Sequence, residues 1–129
     1  DRLSVAADSF DKPNGLAFSS DERVLYVADN GTPHHLVAFD IRPSGSLHRR
    51  RVVAAGTREH PDGLKVDTAG RIYASALGGI HVFDPSGNPL GEISLPGAVN
   101  FTFGGRDRDI LFVTADTSIW AVLLRVTGP

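Results

Sequence analysis

Two short motifs each place an oxygen-bearing side chain directly before a predicted strand. Asn14 lies in Lys12-Pro13-Asn14-Gly15, and Asp62 lies in His60-Pro61-Asp62-Gly63. An amide oxygen and a carboxylate are the hard ligands that Ca²⁺, Mg²⁺ or Mn²⁺ prefers. Pro-Asn-Gly and Pro-Asp-Gly are also ordinary turn sequences that need no function. The motifs alone leave a cation site and two plain turns open, and turn chemistry by itself favours the turns.

Other residue types with chemical potential give weaker patterns. Five histidines invite a zinc hypothesis, but they show no i,i+4 helical pair, and the chain has no cysteine to complete a mixed site. His60 is the histidine next to the candidate site; it shapes a substrate pocket, tunes Asp62, or is a plain surface residue of a loop. No Gly-x-Ser-x-Gly elbow occurs, so hydrolysis by this chain would need a metal ion.

The elements that must position these residues are strands. Segments without a turn signal are about ten residues long and rich in Val, Ile, Leu, Phe and Tyr, which is typical of an all-β protein. Turn formers such as Ser19-Ser20-Asp21-Glu22, Asp67-Thr68-Ala69-Gly70 and Asp84-Pro85-Ser86-Gly87 separate them. This spacing predicts a meander of antiparallel hairpins.

The sequence repeats itself. Asn14-Gly-Leu-Ala-Phe, a turn and Val24-Leu-Tyr-Val-Ala-Asp are echoed from Asp62 and again from Asn100-Phe-Thr-Phe, at separations of 48 and 38 residues. One four-stranded propeller blade takes roughly 40 to 50 residues. We therefore predict a β-propeller segment of about three four-stranded blades. The predicted ranges are 1–9 (the outer strand of a preceding blade, containing Leu3-Ser4-Val5-Ala6), 10–57, 58–97 and 98–129.

This architecture brings the candidate residues together. The first strand of each propeller blade lines the central channel, so polar residues at equivalent positions of successive blades meet there. The shared phase of Asn14 and Asp62 in the repeat raises the cation hypothesis to equal standing with plain turns. Asn100 begins the third repeat and is expected to line the channel, either contacting substrate or making structural hydrogen bonds.

Three blades do not close a ring, because a propeller typically has four to eight. We expect this chain to be the C-terminal part of a longer protein, or copies of it to complete the circle. The chain starts at Asp1 and has no methionine, so we also expect that a segment upstream of it was removed or is not shown. The partners expected are the missing N-terminal half of the propeller or a second copy of this chain.

The composition limits the classes of function. Hydrophobic residues make up 41% of the 129 residues and charged residues 22%, with a formal charge of −2. This balance predicts no nucleic-acid partner and no membrane partner. Without cysteines there is no disulfide framework, and we predict a cytoplasmic location, with the periplasm as the alternative.

Several motifs together resemble a known family. Lys12-Pro-Asn-Gly-Leu-Ala-Phe-Ser with Leu25-Tyr-Val-Ala-Asp, Pro61-Asp-Gly-Leu-Lys-Val-Asp with Gly70-Arg-Ile-Tyr-Ala, Gly79-Ile-His-Val-Phe-Asp-Pro-Ser-Gly, and Asn100-Phe-Thr-Phe-Gly-Gly resemble consecutive blade motifs of the gluconolactonase and regucalcin (senescence marker protein) family. The resemblance runs from about Phe10 to Leu124.

The resemblance implies a six-bladed propeller, of which this chain would be the C-terminal half, with a divalent cation in its channel. It implies that Asn14 and Asp62 are metal ligands and that Asp62 is also the general base. Ca²⁺ is the first expectation for the ion, with Zn²⁺, Mg²⁺ or Mn²⁺ as alternatives, and a small lactone is the expected substrate. Asn100 and His60 are the candidate substrate-binding residues.

Two functions from different classes remain. The first is metal-dependent hydrolysis of sugar lactones, with only part of the active site on this chain. The family's remaining ligand is a glutamate of the first blade, to which nothing in these 129 residues corresponds. The alternative is a non-catalytic propeller fragment that acts as a binding or scaffold module, since this architecture hosts many functions.

Overall fold

Eleven strands make up the regular structure within residues 2–55 and 60–129. The computed structural model describes residues 2–55 and 60–129, and no helix occurs within these ranges. The strands are β1 (Pro13–Phe18), β2 (Val24–Asp29), β3 (His35–Ile41), β4 (Leu47–Ala54), β5 (Leu64–Val66), β6 (Ile72–Ala76), β7 (Gly79–Phe83), β8 (Pro89–Ser94), β9 (Ala98–Gly104), β10 (Ile110–Ala115) and β11 (Ser118–Leu123). The all-β prediction is confirmed.

The strands form three antiparallel sheets. The first sheet has the order β1-β2-β3-β4, the second has the order β5-β6-β7-β8, and the third has the order β9-β10-β11. Consecutive strands pair with one another, because short turns of Asp, Ser and Gly connect them. In the β7–β8 turn, for example, the carboxylate of Asp84 accepts the amides of Ser86 (2.8 Å) and Asn88 (2.9 Å). Gly87 supplies the left-handed residue of this turn, with φ of +89°.

The sheets pack face to face in sequence order. Between the first and second sheets lies one apolar cluster, in which Leu36, Leu64 and Ile72 are fully buried. A second cluster between the second and third sheets contains Ile80 and Leu111, also fully buried. Each such side chain contributes about 1.5–3 kcal/mol of hydrophobic stabilisation. Strands β6 and β7 contribute side chains to both clusters, which fits their largely apolar sequences.

The first strands of the three sheets lie side by side. Contacts join β1 to β5 and β5 to β9, while the later strands of each sheet lie progressively further out. This radial order is that of propeller blades around a channel.

The outer face of the first sheet is covered by the chain that precedes β1. Ala7 and Phe10 pack on a cluster of Val27, Val37 and Phe39. The ring of Phe10 lies 5.9 Å from the ring of Phe39, and the guanidinium of Arg50 stacks on the ring of Phe10 at 5.7 Å. The basic run in β4 thus serves packing and solvation, and its members Arg49 and Arg51 lie within 4.0 Å of Asp40.

Two details differ from the sequence prediction. The third sheet has three strands where four were expected, because the chain after β11 turns back over the β9–β10 loop. The amide of Leu124 donates to the carbonyl of Asp109 (2.7 Å), and that of Gly128 donates to the carbonyl of Arg108 (2.8 Å).

Leu3-Ser4-Val5-Ala6 is not a strand in this chain, in which no strand precedes β1 within residues 2–12. Its place in a preceding blade stays a prediction.

Each sheet lies within one of the three predicted blade ranges. The predicted boundary between residues 57 and 58 lies outside the described residues. Within the described ranges there is no helix of the length and apolar character required to cross a membrane.

Candidate functional site

The candidate residues Asn14, Asp62 and Asn100 lie at the same end of three neighbouring inner strands. Two hydrogen bonds between sheets establish this arrangement. The amide of Gly15 donates to the carbonyl oxygen of Asp62 (2.8 Å), and the amide of Gly63 donates to the carbonyl oxygen of Val99 (3.1 Å). Gly15, which follows Asn14, is therefore bonded to Asp62 itself, and Gly63, which follows Asp62, is bonded to Val99, the residue before Asn100. The structure brings the three predicted positions together.

Glycine is required at both hydrogen-bonding positions because the backbones approach closely. A Cβ atom on Gly15 would lie 2.1 Å from the carbonyl oxygen of Asp62. A Cβ atom on Gly63 would lie 2.7 Å from the carbonyl oxygen of Val99 and 3.0 Å from the side-chain oxygen of Asn100. All three distances are below ordinary carbon–oxygen contact, so a larger residue would push the sheets apart. The Asn-Gly and Asp-Gly pairs are thus more than turn sequences.

The side chains of Asn14 and Asp62 have oxygens available for a ligand. Asn14 is exposed and Asp62 is half-buried. Neither side chain makes a hydrogen bond or ion pair within residues 2–55 and 60–129. A neutral amide oxygen and a carboxylate are ligand types that suit a hard divalent cation. The described residues contain no group of three or more His, Cys, Asp or Glu side chains arranged for a metal ion, so the metal role of this pair stays a prediction.

The buried carboxylate of Asp29 fixes the loop before Asn14, and no sequence motif marks this residue. Asp29, at the end of β2, is 1% exposed. Its side chain accepts the amides of Lys12 (2.8 Å), Asp11 (3.1 Å) and Gly31 (3.1 Å). The amide of Asn30 also donates to the carbonyl of Lys12 (2.9 Å). In the sequence, Asp29 is recognisable only as an acidic residue at the end of the otherwise apolar strand β2.

Electrostatics keep Asp29 ionised. Burial by itself would raise the pKa of this carboxyl group, but the three backbone amides and the imidazole of His35 outweigh burial and lower the pKa from its ordinary value of 3.8. The Nε2 atom of His35 lies 3.6 Å from the carboxylate. His35 begins β3 and is largely buried.

The second sheet uses Ser75 for the equivalent task. Ser75 is fully buried in β6, and its hydroxyl accepts the amide of Gly63 (2.8 Å) and donates to the carbonyl of Val99 (2.5 Å). Its backbone also pairs with the residues around the site: the Asp62 amide donates to Ser75 (3.0 Å) and the Ser75 amide donates to Gly63 (2.9 Å). A buried hydroxyl engaged in this way does not attack a substrate, in agreement with the absence of a serine-nucleophile motif.

His60 lies at the rim against the first sheet. Its Nδ1 atom is 3.1 Å from the side-chain oxygen and 3.2 Å from the carbonyl oxygen of Asn30. Its ring lies 4.1 Å from the ring of His34 at an angle of 58°. These contacts orient the imidazole toward Asn30 and His34. A role for His60 in substrate binding stays a prediction.

Asn100 makes the structural hydrogen bonds that were one of its two predicted roles. Its side-chain oxygen accepts the amide of Phe101 (2.8 Å), and the hydroxyl of Thr114 donates to its carbonyl (3.0 Å). Asn100 remains exposed and lines an open cavity of about 370 Å³ with Lys65 and Thr102 among its neighbours. Substrate contact by Asn100 stays a prediction as well.

Comparisons of sequence and of structure with known proteins indicate the same family. The family described as SMP-30/Gluconolactonase/LRE-like region matches residues 1–117. The chain is 32% identical to the lactonohydrolase oryH of Aspergillus oryzae, over 98% of this chain and 32% of the relative. It is 34% identical to the gluconolactonase of Zymomonas mobilis, over 98% of this chain and 39% of the relative.

A solved gluconolactonase from Xanthomonas campestris superposes with a TM-score of 0.82 and 41% identity, over 91% of this chain and 39% of that one. The β-propeller prediction is thereby confirmed. The chain spans less than half the length of each of these proteins. The chain belongs to the SMP-30/gluconolactonase/LRE-like family, whose named relatives include lactone hydrolases.

Proposed function

We propose that this chain forms part of a metal-dependent hydrolase of sugar lactones, in which Asn14 and Asp62 bind a divalent cation. The observation that carries the proposal is the hydrogen bond from the Gly15 amide to the Asp62 carbonyl, which fixes the two candidate ligands on adjacent strands. The family and the names of the relatives support lactones as the substrate class. We propose Ca²⁺ first, because it takes several oxygen ligands in flexible geometry. Zn²⁺, Mg²⁺ and Mn²⁺ are the alternatives.

Asp62 has the chemistry for two tasks. Its carboxylate has two oxygens and about four lone-pair sites, so one oxygen can bind a cation while the other accepts a proton from water. A bound divalent cation would polarise the lactone carbonyl and offset the negative charge that develops on its oxygen. Asn14 would supply a neutral amide oxygen and leave the proton transfer to Asp62.

Asp62 is the only proton carrier that the proposed reaction requires. The carboxylate takes a proton from water as the water oxygen bonds to the lactone carbonyl carbon. When the ring C–O bond then breaks, the proton passes from Asp62 to the departing ring oxygen. The products are the carboxylic acid and hydroxyl groups of the opened sugar acid, and Asp62 is regenerated. We propose Asn100 and His60 as the substrate contacts.

The site needs further protein around it. The outer face of the third sheet and the free edge of β11 carry exposed apolar side chains, among them Ile119 (75% exposed), Trp120 and Leu123. An unpaired strand edge and an apolar face of this kind favour association. We propose that the rest of a longer propeller, or a second copy of this chain, covers them and supplies the remaining cation ligand.

The alternative is a non-catalytic propeller fragment that binds or scaffolds a partner. The observation in its favour is that the described residues contain no group of three acidic, His or Cys ligands. A fragment with two ligands would bind a cation weakly and would not hydrolyse lactones.

The deciding experiment has two steps. The first is the native mass of the purified protein together with the identity of every polypeptide in the sample, against 13.8 kDa for one chain. The second is hydrolysis of gluconolactone by the species found, followed as acid release, before chelation, after chelation and after addition of Ca²⁺. Activity that chelation removes and Ca²⁺ restores supports the lactonase. A stable lone chain without activity at any ion concentration would support the scaffold instead.

A further inference from the structure

We infer that Ser75 is the positioning residue that holds Asp62 in the geometry needed to bind the cation, and that it does so by linking the second sheet to the third. The inference rests on the proposed function and adds a residue to its machinery. Ser75 itself does not touch the cation or the substrate.

The backbone around Asp62 is held on every side, and most of the contacts lead to Ser75. The amide of Asp62 donates to the carbonyl of Ser75 (3.0 Å), and the carbonyl of Gly63 accepts the amide of Ser75 (2.9 Å). The amide of Gly63 is shared between the hydroxyl of Ser75 (2.8 Å) and the carbonyl of Val99 (3.1 Å). The remaining group, the carbonyl of Asp62, accepts the amide of Gly15. Asp62 therefore has little freedom except in its side-chain torsions.

The hydroxyl of Ser75 also joins two sheets. It donates to the carbonyl of Val99 (2.5 Å), while the Gly63 carbonyl, at 3.4 Å, is a poorer acceptor for the same proton. Val99 immediately precedes Asn100, the proposed substrate contact. One buried hydroxyl thus ties the proposed base to the strand that carries Asn100.

Packing alone does not account for a serine at this position. Ser75 is fully buried in a strand whose other residues are Ile72, Tyr73, Ala74 and Ala76. A buried hydroxyl is costly unless it is hydrogen-bonded. Alanine would fill nearly the same space without that cost, but it could neither accept the Gly63 amide nor donate to Val99. The hydroxyl is therefore explained by what it holds.

A neighbouring position of the first sheet supports the same interpretation. There, Asp29 at the end of β2 accepts the amides of Lys12 and Asp11, directly before Pro13 and Asn14. In both sheets a buried polar side chain near the end of the second strand fixes the backbone beside a candidate ligand. The side chains differ in kind and lie one residue apart in the strand register, since Ala74 pairs with Leu64 as Val27 pairs with Leu16.

The test compares Ser75→Ala with Ile80→Val, in whichever form of the protein the native-mass measurement identifies. Ile80 is fully buried in the same second-to-third sheet interface but makes no polar contact with the site. For each variant we would measure the unfolding midpoint. We would also remove bound metal with a chelator and measure the affinity for Ca²⁺ by calorimetry. Hydrogen exchange of the Gly63 amide would report on the local geometry.

We expect Ser75→Ala to weaken Ca²⁺ binding about 5- to 20-fold and to speed exchange of the Gly63 amide. These effects correspond to the loss of one or two buried hydrogen bonds. Ile80→Val should lower the unfolding midpoint and leave the affinity within about twofold, since it only removes a methylene group from the interface. Ser75→Thr retains the hydroxyl, so if it folds it should bind Ca²⁺ more tightly than Ser75→Ala.

Two results would overturn the inference alone. If the wild-type protein binds Ca²⁺ and Ser75→Ala binds it equally well, Ser75 is a packing residue and the lactonase proposal is unaffected. If both variants lose affinity in proportion to their loss of stability, the effect is general destabilisation. Absence of binding of any tested divalent cation by the wild-type protein would instead overturn the proposed function and this inference with it.

Discussion

The amide of Gly15 donates a hydrogen bond of 2.8 Å to the carbonyl oxygen of Asp62. This bond joins the first strand of one sheet to the first strand of the next, directly beside the two candidate cation ligands. Strand pairing within a sheet does not require it, because β1 and β5 belong to different sheets. The spacing of the candidate site is therefore set by contact between blades.

Substitution of Gly15 by alanine should disrupt that contact. A Cβ atom would lie 2.1 Å from the Asp62 carbonyl oxygen, so the sheets must separate or the strand must shift. We expect a loss of about 1–3 kcal/mol in the free energy of unfolding and a marked loss of cation affinity. Gly91→Ala is the matched control, since a Cβ atom there meets nothing within 4 Å. Denaturant unfolding of both variants measures the difference, and equal stabilities would contradict the role assigned to Gly15.

Asp29→Asn tests the support of the Asn14 loop. The amide side chain keeps one acceptor oxygen but loses the charge and turns an NH₂ group toward a backbone amide. We expect about 1–3 kcal/mol of destabilisation at neutral pH, from buried groups left unpaired. Thermal or denaturant unfolding measures this change. Asp107→Asn, in an exposed loop, makes the same charge change and should be close to neutral.

The pH dependence of stability should change in the same variant. Because the folded-state pKa of Asp29 is below its ordinary value of 3.8, its contribution is fully present above that value. The contribution is lost as the pH falls through the lower, folded-state pKa. The wild-type protein should therefore lose more stability than Asp29→Asn on acidification below about pH 4. Parallel pH profiles for the two proteins would show that the charge of Asp29 has no such role.

Asp62→Asn separates ligand from base. Asparagine keeps an oxygen that can bind a cation but cannot accept a proton from water. We expect kcat for lactone hydrolysis to fall by about 10²- to 10⁴-fold, the usual contribution of a general base. Cation affinity should fall by a smaller factor. Initial-rate kinetics at saturating Ca²⁺ test this, with Asp107→Asn as the control; a variant with wild-type kcat would exclude Asp62 as the base.

Ile119→Glu tests whether the third sheet is covered in the functional form. Ile119 is 75% exposed on β11, whose outer edge has no partner strand within the described part of the chain. A charge there should prevent association with the remaining blades or with a second copy. Leu90→Glu on β8, 56% exposed, is the control. Native mass spectrometry should show a smaller species for Ile119→Glu alone, and an unchanged assembly would contradict the proposed interface.

Much of this architecture could be predicted from the sequence. The alternation of apolar runs with Asp, Ser and Gly turns indicates the hairpins, since both are local properties. The repeat from Asn14 to Asp62 to Asn100 predicts that these residues share one end of the channel. The three-stranded third sheet could not be predicted, because the path of residues 124–129 depends on contacts with the β9–β10 loop.

The supporting residues of the site were also beyond local prediction. Asp29 lies 15 residues after Asn14, and Ser75 lies 13 residues after Asp62, so each reaches its target only once the hairpin has formed. No sequence motif marks Ser75, whose hydroxyl is buried and hydrogen-bonded. What sequence patterns do not show is the contact between backbones of different sheets, on which Gly15 and Gly63 depend.

The proposed cation site is tested most directly by calorimetric titration with Ca²⁺ after bound metal has been removed with a chelator. The titration compares the wild type with Asn14→Ala, Asp62→Ala and the double variant. If both residues bind one cation, each single variant should weaken binding at least tenfold, which is a loss of about 1.4 kcal/mol. The double variant should then lose less than the sum of the two single losses. Binding that is unchanged in either single variant would contradict a shared cation site.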